Sequence, residues 1–272
     1  MHEKINYDIE NILTYNVGTR PFDGLMYNGI LLERSFQNVQ CSATDKVNAS
    51  QLATMNHHMC YQMISPTTTS MHWEEGETLG RWSNVYYATS CNSVHGFWSA
   101  IEKGEFIKQD MSKSGFYGIE LSLKVPNKRQ NLLYKGNRLK HLLDALIASC
   151  HAYIGDYLEG ISKWLAIRTG DGIASIRNSL VSESRNVLGQ YELLRYNSKS
   201  GRCFWNPRDN DCMMIKILVE EEERTDVELS GELFTVYSDK YEDAKDLKAL
   251  RDAMKHDDGL RYDFDEVKHT LK

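Results

Sequence analysis

Histidine and cysteine, the side chains best suited to hold a metal or to attack a substrate, cluster at two places. His57, His58 and Cys60 form one group, with His72 further along the chain. Zinc sites need four ligands at recognisable spacing, and no second ligand pair completes this set, so we predict no metal site. Cys150 and His151 are neighbours. On a helix their side chains would diverge by about 100°, which excludes a nucleophile–base pair and favours a core position for Cys150.

The segment from Cys203 to Cys212 is the most unusual loop. Asn206-Pro207 starts a turn, and Trp205 stands close to Arg208. Two interpretations stay open. The segment is either a structured connection between strands, or a recognition loop in which Trp205 and Arg208 bind a partner, because protein interfaces are enriched in aromatic residues and arginine.

Three short motifs between residues 85 and 118 resemble the core of ADP-ribosyltransferases. They are VYYATS, IEKG and SGFYG. In that family a His-Gly-Thr strand and a later Gly-x-Tyr element hold nicotinamide by stacking and backbone hydrogen bonds, while a glutamate stabilises the developing positive charge. The resemblance implies an NAD site formed by Tyr87, Thr89 and Tyr117, with Tyr87 where the family often has histidine. No catalytic glutamate can be assigned.

A strand and basic loop at residues 119–130 lead to a helix at residues 137–146 that contains Asp144. This unit resembles the phage-type Holliday-junction resolvases, whose helix has the form Asn-Leu-x-Lys-x-x-x-Asp-Ala-Leu. Magnesium-dependent cleavage needs several carboxylates around the ion. The family's acidic residues before the helix are replaced here by Leu133-Tyr134-Lys135-Gly136, so the resemblance implies a degenerate, nuclease-like nucleic-acid binder.

The elements that must position these residues follow from the hydrophobic pattern. A strand is predicted at residues 117–125, and the apolar residues from Leu139 to Leu165 recur at three- and four-residue spacing, which predicts one long amphipathic helix. We further predict strands at residues 29–36, 84–89, 191–196, 213–220 and 232–236, helices at 46–63, 93–103 and 173–188, and a loop at 66–83.

This order of elements predicts an α+β fold in which a mixed or antiparallel sheet packs on the long central helix. Residues 1–238 are expected to form a single domain, with a division into two lobes near residues 65–84 as an alternative. Residues 239–272 are highly charged and are predicted to form a C-terminal helical tail. Leu247, Leu250 and Met254 share one face of that helix and are expected to bind a partner.

Composition narrows the class of function. The 272-residue chain carries a formal charge of −6 and has 41% hydrophobic residues, which is ordinary globular usage and does not favour a nucleic-acid partner. The six scattered cysteines, the polar N-terminus and the lack of a long apolar run predict reduced thiols, no membrane span and a cytoplasmic location. The run Glu220–Glu223 is either a solvated strand end or a surface that attracts Lys and Arg.

Because no catalytic set is assignable, the leading interpretation is a non-enzymatic interaction protein without catalytic residues, metal or cofactor, which binds another protein and forms a homo-oligomer. In overall character, though not in any motif, the chain resembles phage-encoded inhibitors of bacterial defence complexes of the anti-Gabija type. That resemblance implies a host complex as partner and the host cytoplasm as location. The NAD-dependent transferase and the nuclease-like binder stay open as alternatives.

Overall fold

The computed structural model describes residues 28–37, 56–64, 68–109, 115–127 and 137–237, which adopt an α+β fold. In these residues seven strands form the main sheet: β1 (Gly29–Gln37), β2 (Asn56–Met63), β3 (Glu74–Tyr87), β4 (Glu105–Lys108), β5 (Tyr117–Val125), β10 (Cys212–Glu221) and β11 (Val227–Tyr237). Two small ribbons pair β6 (Ala152–Tyr153) with β7 (Gln190–Tyr191), and β8 (Leu194–Asn197) with β9 (Arg202–Trp205). The helices are α1 (Val94–Lys103), α2 (Arg138–Ser149), α3 (Leu158–Thr169) and α4 (Ile173–Leu180).

The main sheet is mixed, which is one of the two arrangements that the sequence predicted. Its strand order is β2-β1-β10-β5-β11-β3-β4, in which β5 and β10 run parallel, whereas β1–β10, β5–β11, β3–β11 and β3–β4 are antiparallel. Parallel neighbours require a crossover connection. Here the crossover from β5 to β10 contains α2, α3, α4 and both ribbons, so most of the helical layer is inserted between two adjacent strands.

Side-chain alternation on β5 separates the two faces of the sheet. Tyr117, Ile119, Leu121, Leu123 and Val125 are at most 1% exposed and belong to the core shared with the helices. The residues between them lie on the opposite face, which is polar at Glu120, Ser122 and Lys124, whereas Gly118 is buried against Phe234 and Val236. One face of the sheet therefore carries the main core, which is the usual consequence of a period of two.

The first helix confirms a prediction made from its caps. Ser93 accepts a hydrogen bond from the Gly96 amide at 3.2 Å, and Gly104 follows the last turn. A serine N-cap satisfies an amide that lacks a partner within the helix. Phe97 and Ile101 are buried on the same face, so α1 packs on the core along the stripe that the sequence indicated.

The prediction of one long central helix is wrong, because the stripe is divided between α2 and α3. The Cys150 carbonyl accepts hydrogen bonds from the Val187 and Leu188 amides, and β6 then pairs with β7. These long-range bonds replace the helical bonds that would continue α2. Ile154 and Tyr157, two positions of the predicted stripe, are consequently 53% and 47% exposed.

Other elements also differ from the sequence prediction, and the strand predicted at 191–196 is divided between β7 and β8. Residues 56–63 form strand β2, not the end of a helix, and the predicted loop at 66–83 contains most of the 14-residue strand β3. Leu79, Trp82 and Val85 of β3 are buried. In the sequence they are separated by the polar residues of the outer face, and for that reason the sequence predicts a loop there. The helix predicted over 173–188 ends at Leu180.

The chain divides into two compact units, and the described residues lie almost entirely in the first, Met1–Phe36 with His57–Tyr237. The second unit is Gln37–Asn56 with Ser238–Lys272. The predicted C-terminal helix at 239–272, with Leu247, Leu250 and Met254, lies outside the described residues, as do residues 46–55 of the predicted early helix. The predicted domain boundaries stay predictions. No helix in the described part combines the length and apolar character needed to cross a membrane.

Candidate functional site

The segment from Cys203 to Cys212, which the sequence marks as unusual, begins within a strand and continues as a loop. Residues 202–205 form β9, which pairs with β8 in an antiparallel hairpin that is a separate two-stranded sheet among the described residues. Arg195 lies opposite Phe204, and Asn197 lies opposite Arg202. Because side chains alternate along a strand, these four residues share the outward side of the ribbon, which we call the hairpin face.

The turn of the hairpin is held by its own hydrogen bonds. The Asn197 side-chain oxygen accepts from the Lys199 and Ser200 amides, both at 3.1 Å, and its carbonyl accepts from the Gly201 amide at 2.8 Å. Gly201 has a φ of 63°, a left-handed conformation that glycine adopts without steric strain. The tip that carries Lys199 is therefore preformed, and little conformational entropy is lost when it binds.

The inward side of the hairpin packs against the helical layer. Leu194 and Cys203 are buried, and the Trp205 ring lies 5.9 Å from that of Trp98 in α1. Burial raises the pKa of the Cys203 thiol to about 11, so it is protonated and unreactive at neutral pH. Trp205, predicted as a partner-binding anchor, thus contacts the protein's own core.

The hairpin face instead exposes Phe204, whose side chain is 57% accessible. Arg195, Arg202 and the neighbouring Lys199 are also exposed, and residues 194–205 include no Asp or Glu. Within the described part of the chain, no carboxylate forms an ion pair with any of these three cations. The sequence interpretation missed Phe204, Arg195 and Arg202. The polar NSKSG turn between two short apolar runs was the signal that could have revealed their shared face.

Several charged residues of the main sheet form ion pairs across neighbouring strands, which the three cations of the hairpin do not do with any described carboxylate. On the polar face of the main sheet, Lys216 contacts Glu120 at 2.7 Å and Arg81 contacts Glu232 at 3.0 Å. Burial raises the pKa of the adjacent Glu75; Lys216 opposes that shift, whereas the two other carboxylates reinforce it. This row is internally compensated, so it offers little net charge to a ligand.

The loop after the hairpin is fastened to the main sheet by buried groups. The Tyr117 hydroxyl donates to the Arg208 carbonyl at 3.2 Å, and the buried Arg34 guanidinium donates to the Asn210 carbonyl. Burial raises the pKa of Tyr117 well above its usual range. The Arg208 side chain is 53% exposed and lies 3.7 Å from Asp211. Arg208 is therefore available to a partner at the edge of the hairpin, and its backbone is held in place.

The three residues expected to bind NAD are not brought together. On β11, Tyr87 lies opposite Val227 and Tyr117 lies opposite Thr235, eight residues away, which is about 26 Å along a strand. The Tyr87 ring packs on Phe97 with centroids 5.1 Å apart, and the exposed Thr89 accepts a bond from Arg138 through its carbonyl. One nicotinamide cannot contact both tyrosines across that distance.

Asp144, which the resemblance to resolvases brings forward, and Asp171, another carboxylate of the helical layer, are each engaged by a lysine. Asp144 is 6% exposed and pairs with Lys140 at 3.2 Å, one turn earlier on α2. Asp171 accepts from Ser99 at 2.6 Å and from Lys103 at 2.7 Å, which lowers its pKa against the effect of burial. The described residues contain no group of three or more His, Cys, Asp or Glu side chains able to hold a metal ion. The side chains of His57 and His58 lie outside that description.

Comparison with protein-family models, with curated proteins and with solved structures finds no match to this chain. The three resemblances inferred from the sequence therefore stay predictions. What the protein does has to be argued from the hairpin face and the loop beside it.

Proposed function

We propose that the protein is a non-enzymatic binding protein that recognises another protein through the hairpin face. The observation that carries this proposal is the exposed Phe204, which shares the hairpin face with Arg195 and Arg202, two arginines that form no ion pair with a described carboxylate. Aromatic residues and arginine are the usual anchors of protein interfaces, because they bury a large area and make directional hydrogen bonds.

The charge of the hairpin face defines the chemistry of the partner. Arg195, Lys199 and Arg202 add three positive charges with no neighbouring carboxylate in the hairpin, although the whole chain is acidic. Opposite potentials across an interface steer encounter and select the partner. The partner surface is accordingly a protein surface with exposed carboxylates around an apolar depression that accepts Phe204.

The two alternatives, an NAD-dependent transferase and a nuclease-like nucleic-acid binder, have less support. The distance between Tyr87 and Tyr117 argues against a shared nicotinamide site, and Asp144 is engaged by Lys140. A metal-dependent loss of activity in a folded Asp144→Asn variant would nevertheless favour the nuclease-like alternative over ours.

The proposal extends to a bacterial defence complex as the partner, with the protein acting as a phage-encoded inhibitor in the host cytoplasm. Its support is the overall resemblance to such inhibitors together with a binding surface that needs no cofactor. Co-expression with reconstituted defence complexes, followed by affinity purification, tests this identity directly. A complex that binds the wild-type protein and not a hairpin variant is the expected result.

The decisive variants are Phe204→Ala and the double variant Arg195→Ala/Arg202→Ala, measured against a purified partner by calorimetry. Each change is expected to weaken binding by about thirtyfold or more, the usual effect of removing an interface anchor. Ile107→Ala is the matched apolar control, because Ile107 is 58% exposed on β4, and Arg177→Ala is the control for exposed arginine.

Unchanged affinity in both hairpin variants would contradict the proposal. Release of the partner by nuclease treatment would also contradict it, because nucleic acid would then bridge the two proteins.

A further inference from the structure

A second surface of the same chain is negatively charged, whereas the hairpin face is positively charged. Residues 220–226, which we call the acidic turn, end β10 and lead to β11, and they include five carboxylates and one arginine. Two cations pair here: Arg224 binds Glu222 at 2.9 Å and also Glu228, and Lys124 of β5 lies 3.4 Å from Glu222. Glu220 and Glu223 are exposed and form no ion pair with any described residue.

An exposed aromatic ring lies beside the acidic turn. Tyr86 is 51% exposed on β3 and lies opposite Glu228 of β11, while the Arg224 guanidinium is 5.7 Å from its ring. The acidic turn and the hairpin face are thus alike in one respect: each has an accessible ring near two exposed charges that form no ion pair with a described residue, Glu220 and Glu223 in one and Arg195 and Arg202 in the other. The two signs are opposite.

We infer that the hairpin face of one molecule binds the acidic turn of a second copy. The contact joins two different surfaces, so it is heterologous and propagates head to tail into a ring or a chain. The inference goes beyond the proposed function, but it uses the same hairpin face. Self-association and partner binding therefore compete, and dilution or a strongly acidic partner releases the hairpin.

Because the inferred contact is made by charged residues, the salt dependence of self-association is the first test. The four residues that form the contact, Arg195, Arg202, Glu220 and Glu223, are exposed in the monomer, and exposed charge pairs are screened once the Debye length falls below about 10 Å. The mass of the purified full-length protein, measured by sedimentation equilibrium, is expected to exceed that of the monomer at low salt and to fall toward it as salt is added. A monomer at every salt and protein concentration would overturn the inference.

Charge reversal identifies the two surfaces. Arg195→Glu/Arg202→Glu makes both surfaces acidic, and Glu220→Lys/Glu223→Lys makes both basic, so each variant alone is expected to associate at least about tenfold more weakly than wild type. When the two variants are mixed, every hairpin face again meets an acidic turn of opposite charge. Association is expected to return in the mixture and in neither component.

The mixture also separates this inference from other outcomes. If each variant still associates like wild type, the molecules meet through another surface, and failure of the mixture to associate likewise overturns the pairing. Thermal melts of both variants serve as the folding control, since all four residues are exposed. Because no partner protein is present, a negative result leaves the proposed function standing, and a failure of partner binding leaves this test unaffected.

Discussion

At the scale of single residues, the least expected feature is a carboxyl beside a guanidinium, both largely shielded from solvent. Glu102 at the end of α1 lies 3.7 Å from Arg185, and the two side chains are 11% and 12% exposed. Burial raises the pKa of Glu102 to about 7, although Arg185 and a hydrogen bond from Ser179 oppose the shift. The ion pair ties α1 to the segment that follows α4 and is fully ionised only above neutral pH.

The raised pKa predicts a pH dependence of stability. The folded state binds a proton on Glu102 more tightly than the unfolded state does, so the associated stabilisation is complete below the unfolded pKa and is lost as the pH rises through about 7. From pH 5 to pH 8 this group should lower the free energy of unfolding by roughly 2 to 3 kcal/mol. Glu102→Gln should remove that slope in urea titrations, whereas Glu159→Gln, in an exposed pair with Lys163, should not. Equal slopes in wild type and Glu102→Gln would refute the assignment.

The core positions of α2 support a second prediction at this scale. Leu143 and Leu146 are at most 1% exposed, and truncation of a buried leucine leaves a cavity. Leu143→Ala and Leu146→Ala should each lower the free energy of unfolding by roughly 2 to 5 kcal/mol. Ile167→Ala is the control, because Ile167 on α3 is 82% exposed and its truncation should be nearly neutral. Neutral leucine variants would mean that α2 does not pack as described.

At the scale of elements, the hairpin assigns different tasks to two adjacent aromatic residues. Trp205 faces the helices and contacts Trp98, whereas Phe204 faces outward. The distinction follows from strand alternation, and it reverses the expectation that Trp205 is the exposed anchor. We therefore expect Trp205 to contribute to stability and Phe204 to contribute to partner binding.

We expect Trp205→Ala to lower the free energy of unfolding by about 2 kcal/mol or more, because it removes a ring packed against the core. Phe204→Ala should leave stability within about 0.5 kcal/mol of wild type while it weakens partner binding. Denaturant melts and calorimetry on the same two variants provide the comparison. The opposite pattern, with a destabilised Phe204→Ala and a stable Trp205→Ala, would show that the ribbon packs with its other side inward.

At the scale of the whole molecule, the helical layer and the sheet share one core, and the hairpin is attached to both. The ribbon packs on α1, and the loop after it is bonded through Arg208 and Asn210 to residues of β5 and β1. We therefore expect this binding surface to change little on binding, and its affinity to depend on complementarity more than on induced folding.

The tail at residues 239–272 supports a prediction at this scale as well. Leu247, Leu250 and Met254 occur at the spacing of one helical face, and the rest of the tail is strongly charged. Deleting residues 239–272 is expected to leave a soluble fold and to weaken oligomer or partner binding, as measured by light scattering and affinity capture. An unchanged oligomer mass and an unchanged recovery of the partner would show that the tail is not part of the binding surface.

The sequence by itself determined the elements whose signals are local. Ser93 and Gly104 mark the ends of α1, and alternation marks β5 with the bounds that the structure shows. The α+β class followed from the order of such elements. These signals are readable because capping bonds and side-chain periodicity depend only on residues close in sequence.

Tertiary structure decided the rest. The apolar stripe of the sequence continues through Cys150, but the Cys150 carbonyl bonds to amides more than 30 residues away, and that pairing ends α2. Likewise, the sequence of residues 203–212 contains two neighbouring aromatic residues and an arginine, but it does not indicate which aromatic ring faces outward. Only the pairing of β9 with β8, and the packing of that ribbon on α1, buries Trp205 and exposes Phe204. Long-range hydrogen bonds and burial choose among conformations that local sequence leaves nearly equal in energy, and that choice created the candidate binding surface.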